Sequence, residues 1–516
     1  MDPIELGILV SRFESICEEM GAILQQSSFS PNIKDRMDFS CALFDGNGGL
    51  LAQAAHIPVH LGSMAYAMKD IVSKIEWLPG DVLVLNNPFM GGTHLPDVTM
   101  VAPFFHDGEV KAFIANRAHH ANIGADAPGS MPLSTHIDQE GILIDPVKLV
   151  SEGEMDDALL SRISSNNALS RGDFLAQLGS VRAGLDRFNQ LVEKMNATEF
   201  TSAVTSLNTY GEKLALAAFQ AIPDGEYQAS DFMDGDGIHQ DGSHDKPIKI
   251  NLTIKVDSGR LVFDFEGTDP QVGGNVNCPL SVAAASVFYV LRCLMPDQAP
   301  SCDGVFRTFE IKAPVGSLLN AIYPSAVAAG NVETSMRVVD VVIKALSTAL
   351  PERMCAASHG SMNNVAMGSR NSEMVGQWDY YETIGGGLGA SASSNGLSAV
   401  QAHMTNTSNT PVESLELHYP IRVLKYAIRE DSAGKGHFTG GEGIERSYQF
   451  KESAQVTLLT ERRERSPYGL EGGEPAGQGR NLLNDEPLPG KCSLTVKPGD
   501  RLTVLTAGGG GYGKAE

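Results

Sequence analysis

The sequence predicts an α+β protein of several domains, with mixed and antiparallel sheets and separate helical segments. Glycine accounts for 54 of the 516 residues and gathers in short clusters, which is typical of chains with many tight turns and much antiparallel sheet. Helix-like periodicity is concentrated in a few long segments, while short strand-like segments follow one another elsewhere. This order favours α+β over a doubly wound sheet, in which strands and helices alternate regularly.

The beginning of the chain is expected to form one α+β region. Residues 4–25 carry apolar side chains at spacings of four and three, which predicts a helix with one buried face. The turn signal His106-Asp107-Gly108 separates two apolar segments, so we expect a hairpin from 98–105 to 110–115. Three further strands are predicted at 38–44, 50–54 and 82–85.

The rest of the chain is predicted to contain a helical region, followed by a region of short strands and further helices. A helical region is expected at about 155–222, and short strands follow at 248–256 and 261–265. Further helices are predicted at 280–295 and after Ser335, and the last hundred residues are predicted to be rich in strands. We therefore expect three regions: a metal-site α+β region over 1–150, a helical region over 151–225, and a glycine-rich α+β region over 226–516 with a β-rich C-terminal part.

Composition excludes several classes of function. Acidic residues outnumber basic ones by 62 to 39, for a formal charge of −23, which disfavours nucleic-acid binding. The longest apolar run, 282–291, is too short to cross a bilayer, and the start of the chain does not resemble a secretory signal. The seven cysteines form no C-x-x-C pair, so a reducing cytoplasm is the expected location.

The strongest candidate site lies at the predicted hairpin. A turn centred on Asp107-Gly108 places Asp97 opposite residue 118, and a three-residue loop places it opposite His119. Cross-strand neighbours have Cβ atoms about 5 Å apart, so Asp97 and His119 should be close with either turn. His94, three residues earlier, can close the same site. Two imidazoles and a carboxylate suit zinc, manganese or iron with open positions; alternatively, these side chains only satisfy the loop backbone.

Other polar residues near this site are further candidates. Asp38 is a candidate fourth ligand or catalytic base, although a cap or turn residue has the same sequence signature. His120 is the second candidate catalytic residue. His56 and His60 are four residues apart, but Pro58 between them argues against a helix. We therefore expect an extended or turning segment that contacts substrate rather than the metal.

Three other motifs are set aside. The acidic segment Asp231–Asp245 lacks the spacing of an EF-hand and is predicted to be a solvated turn. The segment GGGGYGK at Gly508–Lys514 is followed by Ala515 rather than by Ser or Thr and a helix, so it is not a phosphate loop. The segment IGGGLGA at Ile384–Ala390 lacks the acidic partner of a dinucleotide fold. We find no nucleotide site that this chain could complete alone.

Eight sequence segments, spread in order over nearly the whole chain, resemble segments of a known protein family. They resemble the hydantoinase B/oxoprolinase family, and they read RMDFSCALFD, HIPVHLGSM, NNPFMGGTHLPDVTMV, RAHHANIGADAPGSMP, DFEGTDPQVGGNVN, AGNVETSMRVVDVVIKAL, TNTSNTPVESLE and GGEGIERSY. The family's metal ligands would fall on His94, Asp97 and His119. An aspartate of the DFSCALFD segment lines the family's site, which adds weight to Asp38.

The resemblance implies a two-component enzyme. A larger, actin-like A-type subunit would use ATP and Mg to phosphorylate a hydantoin, 5-oxoproline or another lactam, and this B-type subunit would hydrolyse the activated intermediate at one divalent metal. That metal would be zinc or manganese, with iron as a third option, and the assembly a heterotetramer or larger. Three alternatives stay open: an ATP- and bicarbonate-dependent ketone carboxylase subunit, a non-catalytic scaffold for the ATPase, and a metallohydrolase that acts alone.

Overall fold

A computed structural model describes residues 2–54, 57–165, 167–193, 195, 197–238 and 246–515. Within these ranges the helices are α1 (Pro3–Ser27), α2 (Pro31–Lys34), α3 (Pro58–Ser73), α4 (Asp157–Ile163), α5 (Ala168–Val192), α6 (Ala197–Phe219), α7 (Leu280–Leu294), α8 (Asp303–Phe306), α9 (Ser335–Ser347) and α10 (Val412–His418). A π-helical turn, Gly330–Thr334, precedes α9. The predicted helices at 4–25, 155–222, 280–295 and after Ser335 are confirmed.

The strands in the described part of the chain form four sheets. They are β1 (Phe39–Asp45), β2 (Leu50–Ala54), β3 (Val82–Leu85), β4 (Asp97–His106), β5 (Glu109–His119), β6 (Val147–Ser151), β7 (Glu154–Met155), β8 (Gly225–Met233), β9 (Ile248–Asp257), β10 (Arg260–Asp264), β11 (Phe309–Lys312), β12 (Asn364–Ser372), β13 (Gly376–Glu382), β14 (Ile421–Arg429), β15 (Gly443–Phe450), β16 (Ala454–Leu459), β17 (Arg480–Leu483), β18 (Glu486–Leu488), β19 (Lys491–Val496) and β20 (Arg501–Leu505).

Three of the sheets are antiparallel and one is mixed. The first has seven strands in the order β2-β1-β5-β4-β3-β6-β7. The second, β11-β10-β9-β8, is mixed because β10 and β11 run parallel. The others are β13-β12-β16-β19 and β14-β15-β20-β17-β18. The predicted α+β class, with mixed and antiparallel sheets, is confirmed.

The β4–β5 hairpin sets the geometry of the candidate site. Its turn contains two residues, because His106 pairs with Glu109. A bulge at Phe104/Phe105 then shifts the register by one residue, so that Asp97 pairs with His119 rather than with residue 118. A bulge inserts one extra residue on one strand. The two-residue turn and the bulge together therefore give the pairing of Asp97 with His119 that was expected for a three-residue loop.

Helices cover both faces of the seven-stranded sheet. Helices α1 and α5 pack on each other and on one face, while α3 buries Met64, Met68 and Ile71 against the other face. A buried apolar cluster runs through Leu43 of β1, Phe188 of α5 and Phe263 of β10. This one apolar cluster therefore contains residues from all three predicted regions. The domain boundaries near 150 and 225 stay predictions.

The prediction of a solvated acidic turn is wrong for residues 231–238. Asp231 belongs to β8 and forms ion pairs with Arg337 at 3.3 Å and Arg462 at 3.2 Å. Asp234 is buried, and its carboxylate accepts a hydrogen bond from the backbone N–H of Arg463. Local composition does not show the distant arginines that pair with these carboxylates. Residues 239–245 lie outside the described residues.

Two further expectations concern the whole chain. All seven cysteine thiols are free, as expected from the absence of close cysteine pairs. Among the described residues, no helix is both long enough and apolar enough to cross a membrane.

Candidate metal centre

Three of the predicted site residues meet at the open end of the β4–β5 hairpin. His94, Asp97 and His119 are all buried, and one potential ligand atom from each lies within 4.8 Å of the others. The distance from His94 Nε2 to Asp97 Oδ1 is 3.2 Å, and that from His119 Nδ1 to the same oxygen is 3.3 Å. Two imidazoles therefore converge on one carboxylate oxygen.

The loop before β4 is shaped by glycine and by buried hydrogen bonds. Gly91 has a φ of +108°, and a Cβ on Gly92 would lie 2.2 Å from the carbonyl oxygen of Asn86. The Asn86 side chain donates to the carbonyl of Leu95 at 2.8 Å. Only glycine tolerates this conformation and this close approach, so the GG of NNPFMGGTH is what allows the loop to carry His94 inward.

The rings and the carboxylate are oriented by neighbouring groups. His94 Nδ1 lies 3.1 Å from the carbonyl of Ala328, so it donates its proton there and leaves the lone pair on Nε2. Asp97 Oδ2 accepts hydrogen bonds from Thr93 Oγ1 at 2.7 Å and Asn331 Nδ2 at 3.1 Å. Its other oxygen, Oδ1, is left to face the two imidazoles.

His119 is held by a stack that continues into a buried network. Its ring lies parallel to Tyr381, with centroids 4.9 Å apart. The Tyr381 hydroxyl donates to Asn364 Oδ1 at 2.6 Å, and Asn364 donates to Glu333 at 2.6 Å. The guanidinium of Arg36 covers the Tyr381 ring at 4.8 Å. The ring plane of His119 is thus fixed by Tyr381, Asn364 and Glu333, which lie more than 200 positions away along the chain.

The donor atoms of this cluster fit a divalent cation. Two of the converging atoms, His94 Nε2 and Asp97 Oδ1, are buried and have no hydrogen-bond partner among the described residues, and His119 Nε2, on the other side of its ring from Nδ1, has none either. Such orphaned polar atoms are costly. Burial opposes ionisation of Asp97, but His94 and His60 outweigh it and hold its pKa well below the usual range. Burial lowers the pKa of His119 in spite of the adjacent carboxylate, so its ring favours the neutral form that binds metals.

In His94, the third residue of the cluster, the pKa shifts in the opposite direction from that of His119. Burial alone would lower its pKa, but the Asp97 carboxylate outweighs burial and raises it. Without a cation, the carboxylate is therefore neutralised in part by this imidazole. A bound divalent ion would take over that role, in exchange for a proton.

Asp38 lies beside the three converging residues. Its backbone carbonyl accepts a hydrogen bond from the N–H of His119 at 2.9 Å, because β1 runs next to β5. Its side chain lines the same small cavity as Asp97 and His119 and lies 3.8 Å from the Arg36 guanidinium. The roles predicted for it, fourth ligand or base, stay predictions that this position supports.

His60 belongs to the site and was underestimated from the sequence. The expectation that Pro58 prevents a helix is wrong, because Pro58 is the first residue of α3, where a missing N–H costs nothing. His60 is buried, and its Nε2 lies 3.3 Å from Asp97 Oδ2 and 4.0 Å from Asp38 Oδ1. Because proline is common at the first position of a helix, Pro58 could have been taken as the start of a helix that carries His60. His56 lies outside the described residues.

His120 lies apart from the three converging residues. Its Nε2 hydrogen bonds with Gln177 Oε1 at 2.8 Å, and its ring packs on Phe174 with centroids 4.3 Å apart. It lines a separate cavity on the α5 side of the hairpin. Adjacent residues of an extended chain point to opposite sides, which separates His120 from His119. Its catalytic role stays a prediction, and these contacts do not support it.

Comparison with known proteins gives a family match over almost the full length. The family model "Hydantoinase B/oxoprolinase" matches residues 2–515. An uncharacterized protein of Methanocaldococcus jannaschii is 40% identical, with 99% of this chain and 91% of that protein covered. The putative B component of a D-/L-hydantoinase from a Pseudomonas species is 30% identical, with 99% and 90% covered. The 5-oxoprolinase 1 of Arabidopsis thaliana is 38% identical, but this chain spans only 42% of it.

Two solved structures share the fold. The ATP-dependent caprolactamase from Pseudomonas jessenii superposes with a TM-score of 0.90 at 26% identity, over 100% of this chain and 91% of that one. Acetone carboxylase in a nucleotide-free state superposes with a TM-score of 0.87 at 19% identity, over 99% and 76%. The second likeness concerns the fold alone.

Proposed function

Since the chain belongs to the hydantoinase B/oxoprolinase family, we propose that it is the B-type component of an ATP-dependent cyclic amide hydrolase. Its substrate would be a hydantoin, 5-oxoproline or another lactam, and an A-type ATPase subunit would be its partner in a heterotetramer or larger assembly. The observation that carries the proposal is the buried convergence of His94, Asp97 and His119 on one point.

The names of the relatives support a hydrolase. They include 5-oxoprolinases, a hydantoinase component and an ATP-dependent caprolactamase, and each of these names denotes opening of a cyclic amide. The chain covers about two fifths of the plant 5-oxoprolinase but 90% of the hydantoinase component.

The metal would be held by His94, Asp97 and His119, with Asp38 as a fourth ligand or as the base. Zinc, manganese or iron there would supply Lewis-acid polarisation of an oxygen and would lower the pKa of water. The unpartnered nitrogen and oxygen atoms of the triad also argue against a purely structural role, because a scaffold gains nothing from burying them.

The protein's own residues would handle the water and the ring. A cyclic amide is a poor electrophile, and phosphorylation of its oxygen by the partner converts that oxygen into a leaving group. Water then adds to the activated carbon, and the ring C–N bond breaks to release the amine and leave an acyl phosphate. A second water hydrolyses the acyl phosphate to carboxylate and phosphate. Asp38 would accept the proton of the water, and His60, whose Nε2 lies 4.0 Å from Asp38 and 3.3 Å from Asp97, would orient both carboxylates.

Reconstitution with the A-type subunit tests this function. The purified chain, the partner, ATP and Mg are incubated with hydantoin, 5-oxoproline or caprolactam, and both ring opening and ADP release are measured. We expect ring opening that requires ATP and both chains, and its loss in His94→Ala with partner binding intact. Full activity of His94→Ala would contradict the proposal. Activity without ATP would indicate a stand-alone hydrolase, and bicarbonate-dependent consumption of a ketone would indicate a carboxylase.

A further inference from the structure

One backbone segment, residues 327–331, orients two of the three converging side chains. The carbonyl of Ala328 lies 3.1 Å from His94 Nδ1, and the side chain of Asn331 donates to Asp97 Oδ2 at 3.1 Å. The last two residues of this segment begin the π-helical turn before α9. The direction in which the His94 ring presents Nε2 therefore depends on how firmly the segment is held.

A buried carboxyl group holds the segment at the residue that contacts His94. Glu140 is fully buried, and its Oε1 accepts hydrogen bonds from the backbone N–H groups of Val327 and Ala328, each at 2.9 Å. The hydroxyl of Ser134 donates to the same oxygen at 2.7 Å. Two of these three donors belong to consecutive backbone positions, so Glu140 fixes the chain immediately before the Ala328 carbonyl.

The two halves of the segment have separate supports. The N–H groups of the two residues after Ala328 donate to the carbonyl of Asn275 at 2.9 and 3.0 Å, which holds the start of the π-helical turn and hence Asn331. Among the described residues, the N–H groups of Val327 and Ala328 hydrogen bond with Glu140 alone. The position of the Ala328 carbonyl is therefore set at Glu140, and that of Asn331 at another place.

The contacts of Glu140 require an acceptor oxygen but no negative charge. Burial raises the pKa of Glu140 to about 7, although its hydrogen bonds with Ala328, Ser134 and Val327 oppose this. The protonated and ionised forms therefore have similar free energies at neutral pH. Its second oxygen, Oε2, is buried without a hydrogen-bond partner among the described residues. A proton on Oε2 leaves Oε1 free to accept, so an amide oxygen can replace Oε1.

We infer that Glu140 is a positioning residue of the metal centre, which holds the Ala328 carbonyl against His94 Nδ1 and so directs His94 Nε2 to the point of convergence. This inference rests on the proposed function for the presence of a metal. Imidazole ligands commonly donate their second N–H to a carboxylate or a backbone carbonyl, which sets the tautomer and the ring orientation. Here the carboxyl group acts one step further out, through two backbone N–H groups.

Two conservative substitutions separate position from charge. Glu140→Gln keeps the side-chain length and an oxygen that can accept the same three hydrogen bonds, but it removes the charge. Glu140→Asp keeps the charge and withdraws the oxygens from Val327 and Ala328 by one methylene group. Zinc affinity of the metal-free protein is measured by competition with a fluorescent chelator. We expect Glu140→Gln to bind zinc about as tightly as wild type, and Glu140→Asp to bind it about 10- to 100-fold more weakly.

Asp173 provides a matched control. It is also a buried carboxyl group, and its Oδ1 accepts hydrogen bonds from two consecutive backbone N–H groups, those of Phe29 at 2.8 Å and Ser30 at 3.2 Å. These contacts lead to the end of α1 rather than to the segment 327–331. Asp173→Ala should therefore lower the thermal midpoint without changing zinc affinity, which shows the effect of losing such a contact elsewhere in the molecule.

Hydrogen exchange in the metal-free protein gives a second readout, measured by mass spectrometry on peptides that contain Val327 and Ala328. These amides should exchange faster in Glu140→Asp than in wild type or Glu140→Gln. Faster exchange with unchanged zinc affinity would assign Glu140 a structural role only and overturn the inference. Weaker zinc binding by Glu140→Gln than by Glu140→Asp would show that Glu140 acts through its charge, and would overturn it as well.

The outcomes separate this inference from the proposed function. Zinc binding by wild type, with equal affinity in Glu140→Asp, would remove the positioning role and leave the proposed function standing. Zinc binding with the expected order of affinities, but without ring opening in the two-component assay, would support the role of Glu140 and remove the proposed function. A wild type that binds no zinc would overturn the inference together with the metal centre.

Discussion

The two oxygens of Asp97 have different tasks. Oδ2 accepts hydrogen bonds from Thr93 and Asn331, while Oδ1 faces the nitrogens of His94 and His119. The hydrogen bonds on Oδ2 fix the carboxylate plane, so that Oδ1 is aimed at the point where the imidazoles converge. Groups that orient ligands in this way typically contribute about 10- to 100-fold to metal affinity.

Replacing Thr93 by valine tests this orientation. Thr93→Val keeps the side-chain shape but removes the 2.7 Å hydrogen bond to Asp97, so we expect metal affinity to fall about 10- to 100-fold. Competition with a fluorescent chelator measures this. Thr457→Val is the matched control, because the Thr457 hydroxyl is buried without a partner among the described residues. Equal affinities in the two variants would refute the role of Thr93.

Glu333 gives a pH-dependent prediction at the same scale. Burial raises its pKa to about 8, so the native state keeps its proton at pH values where the unfolded state has lost it. The contribution of Glu333 to stability is therefore greatest below about pH 4.5, and it falls as pH rises towards 8, by up to about 1.4 kcal/mol per pH unit.

The variant Glu333→Gln should lack this loss. Relative to wild type, its free energy of unfolding should increase between pH 5 and pH 7, as measured by urea denaturation. Glu373→Gln, at an exposed position, gives the baseline for removing one surface carboxylate. A difference between Glu333→Gln and wild type that is constant over this range would contradict the prediction.

At the scale of secondary-structure elements, α3 places His60 in the site. The helix packs against α7, and a Cβ on Gly62 would lie 2.5 Å from the Cα of Ala285. Glycine thus allows the two helix backbones to approach closely. Since α3 also covers one face of the seven-stranded sheet, its position relative to α7 determines where His60 meets Asp97.

A substitution at Gly62 tests this helix contact. Gly62→Ala should lower the free energy of unfolding by about 1–3 kcal/mol, because the new methyl group overlaps backbone of α7 that has little room to move. Gly7→Ala on the exposed side of α1, where the added methyl meets nothing within 4 Å, should instead stabilise by about 0.5–1 kcal/mol. Urea denaturation measures both, and equal effects would contradict close α3–α7 packing.

The elements that the sequence predicted correctly are those with local signals. The hairpin follows from His106-Asp107-Gly108, and it brings Asp97 and His119 together as expected. The bulge that decides the register has no local signal. The start of α3 was missed because Pro58 was taken as a helix breaker, although proline is well suited to the first helical position.

At the scale of the whole molecule, buried charges connect distant segments. Arg462 pairs with Asp231 of β8 and Asp340 of α9, and Arg337 of α9 pairs with Glu461. These residues come from segments more than 100 positions apart. The network joins the mixed sheet, α9 and the loop after β16, and α9 follows directly on the π-helical turn that carries Asn331 into the metal centre.

Breaking this network should be costly. Arg462→Met leaves Asp231 and Asp340 without their shared cation in a buried place, so we expect a loss of about 3–5 kcal/mol in the free energy of unfolding. Lys255→Met removes an exposed partner of Glu226 and should cost less than about 1 kcal/mol. A comparable cost for the two variants in urea denaturation would show that the buried network contributes little.

Long-range contacts mark the limit of what the sequence could predict. Asn331 contacts Asp97 across 234 positions, and the network that holds Tyr381 behind His119 spans a similar distance. No periodicity or spacing connects such segments, because their proximity is decided by the packing of separate sheets. The proximity of His94, Asp97 and His119 was predictable because the β4–β5 hairpin and the loop just before it carry all three.

Metal content tests the central claim most directly. Wild type, His94→Ala, His119→Ala and His120→Gln are purified in parallel, and bound metals are measured by elemental mass spectrometry. We predict close to one equivalent of zinc, manganese or iron in wild type and in His120→Gln, and almost none in the other two variants. A wild-type protein that contains no metal and takes up none when it is supplied would contradict the account and move the chemistry to the partner.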